Sequence, residues 1–223
     1  MPIDEVLILA AGIWPEQPPA ELVARAGLIL ATDGAWARAA ERGVRVDRVV
    51  GDLDSLTADE VRSLRRSQTP IDVFPQDKDQ TDLEIAIDQA LLLRPARIAV
   101  WGALGGRTDH LLANVFLLER IARSGVRGEV VNGDERLIVT VGRTDLREAC
   151  LGDGVSLLAL TDRARGVTTW GLRYALDRAT LERASSRGVS NEVVALPAAV
   201  SVEDGALIVV HRRAQASGRD SAR

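Results

Sequence analysis

Cysteine, lysine, tyrosine and long apolar runs are all scarce in this sequence of 223 residues. The single cysteine, Cys150, excludes an internal disulfide bond and a zinc site built from several thiolates. No apolar run approaches the ~20 residues that a membrane-spanning helix needs, and we find no secretory leader at the N-terminus. The sequence therefore predicts a cytoplasmic protein that does not enter a membrane.

Aromatic residues make up only 3% of the chain and the formal net charge is -4. Nucleic-acid-binding surfaces need clustered positive charge and aromatic side chains on which bases stack, so we expect no nucleic-acid partner. The 46% of hydrophobic residues indicates a folded protein with a packed core. Small ligands are the expected partners, and Lys78, the only lysine, is a candidate for binding one.

Short aliphatic runs alternate with amphipathic segments up to about residue 142, which is typical of a parallel sheet covered by helices. The clearest helices are Thr81–Leu93, which begins with a capping-box pair of Thr81 and Glu84, and Thr108–Arg123. The predicted strands are Val6–Ala10, Leu28–Ala31, Arg48–Val50, Ile71–Phe74 and Arg97–Trp101.

Beyond Gly142 the pattern changes to short β-type runs separated by Gly, Asp, Ser and Pro. These runs are Val155–Leu160, Val167–Trp170, Glu192–Leu196 and Ala206–His211. We therefore predict an α/β domain over residues 1–142, an all-β domain over 143–213 and a flexible tail over 214–223.

Four acidic loops directly follow predicted strands. Ligands of open α/β sheets bind at the carboxyl ends of the strands, so these loops are expected to meet at one edge. They contain Asp33, Asp52, Asp54, Asp79, Asp82 and Asp109. Carboxylates held this close repel one another unless a cation offsets them, and such an oxygen-rich group suits Mg²⁺ together with substrate phosphates.

The same loops hold donors for phosphate, which are Lys78, Arg107 and the backbone N–H groups of Gly105 and Gly106. The Walker-type glycine-lysine motif is absent, which excludes a P-loop enzyme. A single Asp-containing loop is more often a turn or a helix cap, and capping also explains Thr81. For His110, a solvated helix residue and a phosphate contact are equally good interpretations. The coincidence of four loops favours a phosphoryl-transfer site.

Six motifs follow one another along the chain: Asp33-Gly34, Gly51-Asp52-Leu53-Asp54-Ser55, Asp77-Lys78-Asp79-Gln80-Thr81-Asp82, Gly105-Gly106-Arg107-Thr108-Asp109-His110, Thr168-Thr169-Trp170-Gly171-Leu172-Arg173-Tyr174 and Ser190-Asn191-Glu192. In order and spacing they resemble the motifs of the thiamine pyrophosphokinase family. The resemblance spans nearly the whole chain apart from the tail.

This resemblance implies a Rossmann-like α/β domain with a mostly parallel sheet, joined to a smaller C-terminal β-sandwich. It also implies a homodimer whose active site is shared between subunits, where Mg-ATP donates a pyrophosphoryl group to the thiamine hydroxyl and AMP leaves. By the same resemblance Asp52, Asp54 and Asp82 are the catalytic, metal-binding carboxylates.

The remaining expected contacts divide between nucleotide and vitamin. Those assigned to the nucleotide are Asp33, Gly34, Ser55, Lys78, Asp79, Thr81, Gly105, Gly106, Arg107, Asp109 and His110. Those assigned to thiamine are Tyr174, Ser190, Asn191 and Thr169. The alternative interpretation of Tyr174, the only tyrosine, is a core residue whose hydroxyl finds a buried partner.

Two other functions fit the same motifs. One is pyrophosphoryl transfer to a different hydroxymethyl heterocycle such as a pterin, and the acceptor pocket distinguishes it from transfer to thiamine. The other is a module that binds nucleotide or thiamine without catalysis. The three carboxylates Asp52, Asp54 and Asp82 argue against the second, because binding alone does not require a metal site with several carboxylates.

Overall fold

The computed structural model describes residues 3–214. By its internal contacts the chain forms two compact units, Met1–Gly133 and Asp134–Arg223. The predicted boundary at residue 142 falls inside the second unit. Of the predicted tail, residues 215–223 lie outside the described part of the chain.

The first unit contains a sheet of parallel strands in the order β6-β5-β1-β2-β3-β4. Each of the five predicted strands is present, with ends that move by at most one residue. The sequence interpretation missed the sixth, β6. The strands are β1 (Glu5–Leu9), β2 (Leu28–Thr32), β3 (Arg48–Gly51), β4 (Ile71–Val73), β5 (Arg97–Trp101) and β6 (Arg127–Asn132).

Helices connect these strands, as parallel crossovers require. They are α1 (Ala20–Arg25), α2 (Asp33–Glu41), α3 (Ala58–Ser67), α4 (Asp82–Leu92) and α5 (Thr108–Arg123). The bounds predicted for α5 are confirmed. None of the described helices is long and apolar enough to cross a bilayer.

The capping box predicted for α4 is only half formed. The Thr81 hydroxyl accepts a hydrogen bond from the Glu84 N–H at 3.2 Å, as an N-cap does. The Glu84 carboxylate does not return to the Thr81 backbone, because it accepts hydrogen bonds from Gln80 and Arg120 instead. A complete capping box is found one helix earlier, between Thr57 and Glu60 at the start of α3.

The second unit has two antiparallel sheets, with the orders β12-β9-β14-β7 and β11-β10-β13-β8. Apolar side chains from both sheets, among them Leu157, Val209, Val167 and Val200, form one core cluster, which confirms a small β domain. The strands are β7 (Glu135–Thr140), β8 (Arg143–Asp145), β9 (Gly154–Ala159), β10 (Arg163–Trp170), β11 (Ala179–Glu182), β12 (Asn191–Glu192), β13 (Ala199–Ser201) and β14 (Leu207–Arg212).

The sequence interpretation was wrong about the run Glu192–Leu196. Only Asn191–Glu192 pairs as a strand, with β9. The residues after it form other contacts: the Val194 and Ala195 N–H groups both donate to the Gly171 carbonyl, and Leu196 is exposed. High β-propensity therefore does not produce a longer strand where the backbone groups are used by a neighbouring loop.

The alternating burial along β9 supplies a test of this fold. Leu157 faces the core and is 1% exposed, whereas Leu158 lies on the opposite face. We expect Leu157→Ala to lower the free energy of unfolding by about 2 to 5 kcal/mol, because it removes buried methyl groups and leaves a cavity. The matched variant Leu158→Ala should lower the free energy of unfolding by clearly less than Leu157→Ala does. If urea denaturation gave the same loss of unfolding free energy for both variants, the assignment of Leu157 to the core-facing side of β9 would be wrong.

Candidate active site

Three carboxylates meet where the parallel strands of the first unit end. Asp33 follows β2 as the first residue of α2, Asp52 follows β3, and Asp82 is the first residue of α4. Each offers an oxygen that lies within 4.8 Å of an oxygen of the other two. This convergence at the carboxyl ends of the strands is the edge that the sequence predicts.

Asp33 is the most buried member of this acidic group, at 1% exposed. Its Oδ1 accepts a hydrogen bond from the Gly34 N–H at 2.6 Å, and its Oδ2 has no hydrogen-bond partner among the described residues. Burial raises the pKa of Asp33 above its ordinary value, and the nearby carboxylates add to that rise. Gly51 makes room for this side chain, since a Cβ there would lie 2.9 Å from Asp33 Cγ.

Lys78 supplies the positive charge that the acidic group needs. Its Nζ lies 2.6 Å from Asp52 Oδ2 and 3.1 Å from Asp82 Oδ1. Burial opposes the charged form of Lys78, but the hydrogen bonds to these two carboxylates raise its pKa. Burial alone would raise the pKa of Asp52, yet the hydrogen bonds from Lys78 and the Asp54 N–H lower it. For Asp82 burial prevails over Lys78, and its pKa is raised.

Asp54 lies outside the acidic group. Its carboxylate is exposed and accepts hydrogen bonds from Ser55 Oγ at 3.2 Å and Gln76 Nε2 at 3.0 Å. Asp52 and Asp54 would point to the same side only on an extended segment, and Leu53, with φ of 68°, is left-handed. The negative charge of Asp54 still raises the pKa of Asp33 and of Asp82, so its role as a metal ligand stays a prediction beside that of Asp33.

The acidic group opens into a cavity of about 260 Å³. Of the residues assigned to the nucleotide, the lining includes Asp33, Ser55, Thr81, Gly105, Gly106, Arg107 and His110. Gly34, Lys78, Asp79 and Asp109 do not line it; Asp79 is exposed. Gly34 lies close to the loop after β1, because a Cβ there would come within 3.0 Å of Ala11 Cβ, a tight contact.

Two parts of this lining were missed by the sequence interpretation. The first is the loop after β1, Ala10–Gly12, where a Cβ on Gly12 would lie 2.3 Å from the Gly102 carbonyl oxygen. The second is Asn114 on α5, whose Nδ2 donates to the Ala103 carbonyl at 2.8 Å. A glycine in the loop after a buried strand, here Gly12 after β1, is the signal that could have identified the first part.

Arg107 and Asp109 form a pair at the mouth of the cavity. The guanidinium donates from Nε at 3.1 Å and from Nη2 at 2.6 Å to the two oxygens of Asp109. These hydrogen bonds, with one from the His110 N–H, lower the pKa of Asp109 to about 2. Asp109 thus holds the orientation of Arg107 while both side chains stay exposed.

In the second unit, Tyr174 is exposed over 65% of its surface, which excludes the interpretation of this residue as core. Asn191 and Thr169 are buried, at 8% and 6% exposed. Ser190, whose N–H donates to Ser156 Oγ at 3.1 Å, lines with Asn191 an open cavity of about 690 Å³ that does not include Tyr174.

The chemistry of the acidic group fits Mg²⁺. All three side chains offer oxygen, the ligand that this hard cation prefers, and one buried oxygen of Asp33 has no other partner among the described residues. Lys78, Arg107 and the backbone at Gly105 and Gly106 add positive charge and N–H donors beside it. The arrangement can bind a divalent cation together with a chain of phosphates.

Comparison with known families and proteins agrees with this geometry. The family model for the thiamin pyrophosphokinase catalytic domain matches residues 19–129, and that for the thiamin pyrophosphokinase vitamin B1 binding domain matches residues 143–207. The thiamine pyrophosphokinase of Bacillus subtilis (strain 168) is 27% identical over 171 residues, which cover 76% of this chain and 80% of that protein.

Solved structures show the same fold. The crystal structure of thiamin pyrophosphokinase from Geobacillus thermodenitrificans has a TM-score of 0.80 and 28% identity, and covers 95% of this chain and 99% of that chain. The crystal structure of the Bacillus subtilis enzyme has a TM-score of 0.84 at 24% identity, with 95% and 100% covered. Two matching domain models in the order of the two units, together with the acidic group, establish that the chain belongs to the thiamine pyrophosphokinase family.

Proposed function

We propose that this enzyme transfers the pyrophosphoryl group of ATP to the hydroxyl of thiamine, forming thiamine diphosphate and AMP. The observation that carries the proposal is the meeting of Asp33, Asp52 and Asp82 beside a cavity lined by phosphate donors. Family membership adds the vitamin, since the matching models pair a catalytic domain with a vitamin B1 binding domain. With ATP as donor, the expected location is the cytoplasm.

The carboxylates Asp33, Asp52 and Asp82 would hold Mg²⁺, with Asp54 as a further candidate ligand. When bound, the ion neutralises phosphate charge and aligns the transferring group. Lys78 reaches two of these carboxylates and is placed to share the charge of the phosphates. Arg107 and the N–H groups at Gly105 and Gly106, which line the same cavity, bind phosphate oxygens.

Tyr174 is the proposed contact for the vitamin. Thiamine is a permanent cation, and an exposed aromatic ring attracts a cation through its negative face. The second function considered, transfer to a hydroxymethylpterin, is not favoured, because the vitamin B1 binding model matches residues 143–207. The intact carboxylates likewise disfavour a module without catalysis.

The test is to incubate the protein with ATP, Mg²⁺ and thiamine and to identify the products. AMP with thiamine diphosphate supports the proposal. ADP with thiamine monophosphate would mean an ordinary kinase, and turnover of a hydroxymethylpterin in place of thiamine would assign the alternative acceptor.

We further propose a homodimer whose active site both subunits share. In support, α5 presents the exposed side chains Leu112 and Phe116 to solvent, and Phe116 lines an open cavity of about 660 Å³ that reaches Thr81. Exposed apolar side chains beside a polar site are typical of a surface that another protein covers.

For the dimer, we expect a solution mass near twice that of the 24.0 kDa chain. Phe116→Glu should shift the protein toward monomer and lower turnover, because it places a charge in the apolar contact. Leu92→Glu, at an exposed leucine at the end of α4, is the matched control and should leave the mass unchanged. A fully active monomer, measured by light scattering, would exclude a shared site.

For the acidic group, we expect Asp33→Asn to raise the free energy of unfolding at neutral pH without Mg²⁺, since it removes a buried charge beside two others. The pKa of Asp33 is raised, so this gain should shrink as the pH falls through that pKa and the native carboxyl becomes protonated. Stabilisation by added Mg²⁺ and turnover should both fall.

The exposed Asp77→Asn is the matched control, and its response to Mg²⁺ should equal that of the wild type. An Asp33→Asn protein that is stabilised by Mg²⁺ as strongly as the wild type would contradict the ligand role of Asp33.

For the vitamin contact, we expect Tyr174→Leu to raise the KM for thiamine by about two-fold to thirty-fold, since cation–π contact contributes ~0.5–2 kcal/mol. Tyr174→Phe keeps the ring and should be milder. The midpoint temperature of thermal unfolding should stay unchanged in both variants, because the Tyr174 side chain is exposed. An unchanged KM for thiamine would remove Tyr174 from the site.

A further inference from the structure

The loop that carries Tyr174 combines an exposed ring with a tightly held backbone. The Tyr174 side chain is 65% exposed, so core packing does not fix it. Its backbone, in contrast, forms two hydrogen bonds with the side chain of Asn191. The Asn191 Nδ2 donates to the Tyr174 carbonyl at 2.8 Å, and the Asn191 Oδ1 accepts from the Tyr174 N–H at 3.0 Å.

The Oδ1 atom of Asn191 is fully occupied within the protein, and one of the two Nδ2 hydrogens is bonded to Tyr174. The Asn191 Oδ1 also accepts from the Glu192 N–H at 2.9 Å, and the residue is only 8% exposed. An amide oxygen has two lone pairs, and both already have partners here. The Asn191 oxygen therefore holds Tyr174 and Glu192 and has no lone pair left for a ligand.

Thr169 closes the base of the same loop. Its hydroxyl accepts from the Leu176 N–H at 2.9 Å, and its own N–H donates to the Leu176 carbonyl at 3.0 Å. Gly171 lets the loop approach its neighbour, because a Cβ there, at φ of 71°, would lie 2.2 Å from the Ala195 carbonyl oxygen.

We propose that Asn191 and Thr169 are positioning residues that act through Tyr174, and that neither contacts thiamine. The inference rests on the proposed function, because it names what holds the aromatic contact of that site. A ring presented on a rigid backbone loses little freedom when the cationic ligand binds, so the two buried side chains increase affinity without touching it.

A double-mutant cycle between Asn191 and Tyr174 tests this role. We would measure kcat, the KM for thiamine and the KM for ATP for Asn191→Leu, Tyr174→Leu and the double variant, with thiamine affinity by calorimetry beside them. Asn191→Leu should raise the KM for thiamine by about ten-fold and leave the KM for ATP within about two-fold. In the Tyr174→Leu background the same change should add nothing, because its effect runs through the ring.

Thr169 supplies a second test should Asn191→Leu fold poorly. Thr169→Val keeps the shape and removes the acceptor, so the KM for thiamine should rise, and Thr169→Ser should restore it. Thr140→Val is the matched control: Thr140 is also buried, and its hydroxyl accepts from the Gly142 N–H at 3.3 Å outside the Tyr174 loop. It should change stability without changing the KM for thiamine.

Additive effects of Asn191→Leu and Tyr174→Leu would overturn the inference, because they would mean that Asn191 contacts thiamine itself. An equal rise in the KM for ATP would overturn it too, as a sign of general damage. A wild-type protein that binds thiamine without converting it would instead contradict the proposed function, and the cycle would then be judged on the calorimetric affinities.

Discussion

The meeting of three carboxylates at one sheet edge is the constraint on which the site depends. Parallel strands end together, so the residues after β2 and β3 and at the start of α4 must lie side by side. Like charges at this distance repel, and burial of Asp33 adds to the free-energy cost. The fold tolerates the arrangement because Lys78 pairs with Asp52 and Asp82, and because a bound cation would complete the neutralisation.

The proposed function assigns different ligands to the two units, and the interactions that would bind them differ. In the proposed function the first unit would offer charge and backbone N–H groups to phosphates, and a bound metal would add to that ion pairing. The second presents the exposed ring of Tyr174 on a loop held by Asn191 and Thr169. In the proposed function the face of this ring would bind the organic cation, and a loop that is ordered before the ligand binds would increase the affinity. An acidic first unit would also attract that cation.

The sequence predicted those elements and residues whose positions follow from apolar periodicity and from their place after a strand. The strands β1–β5 and helix α5 follow from apolar spacing, and Asp52 and Asp82 follow from their places after a strand and at a helix start. The sequence did not predict the left-handed backbone at Leu53, because a leucine gives no signature of that conformation, and the role of Asp54 as a metal ligand stays a prediction. It did not predict that the Asn191 side chain holds the Tyr174 backbone, because a sequence does not show which hydrogen-bond partners an amide has.

The geometry around Lys78 favours a lysine over an arginine at this position. Its ammonium is a compact point charge, and it reaches Asp52 at 2.6 Å and Asp82 at 3.1 Å. An arginine fork is planar and fits a single carboxylate with two parallel hydrogen bonds, as Arg107 does with Asp109. A fork bound in that way would commit one carboxylate of the acidic group to itself. A point charge on a flexible stem lowers the repulsion between two carboxylates and still leaves their remaining oxygens to a cation, which is what a phosphoryl-transfer site requires.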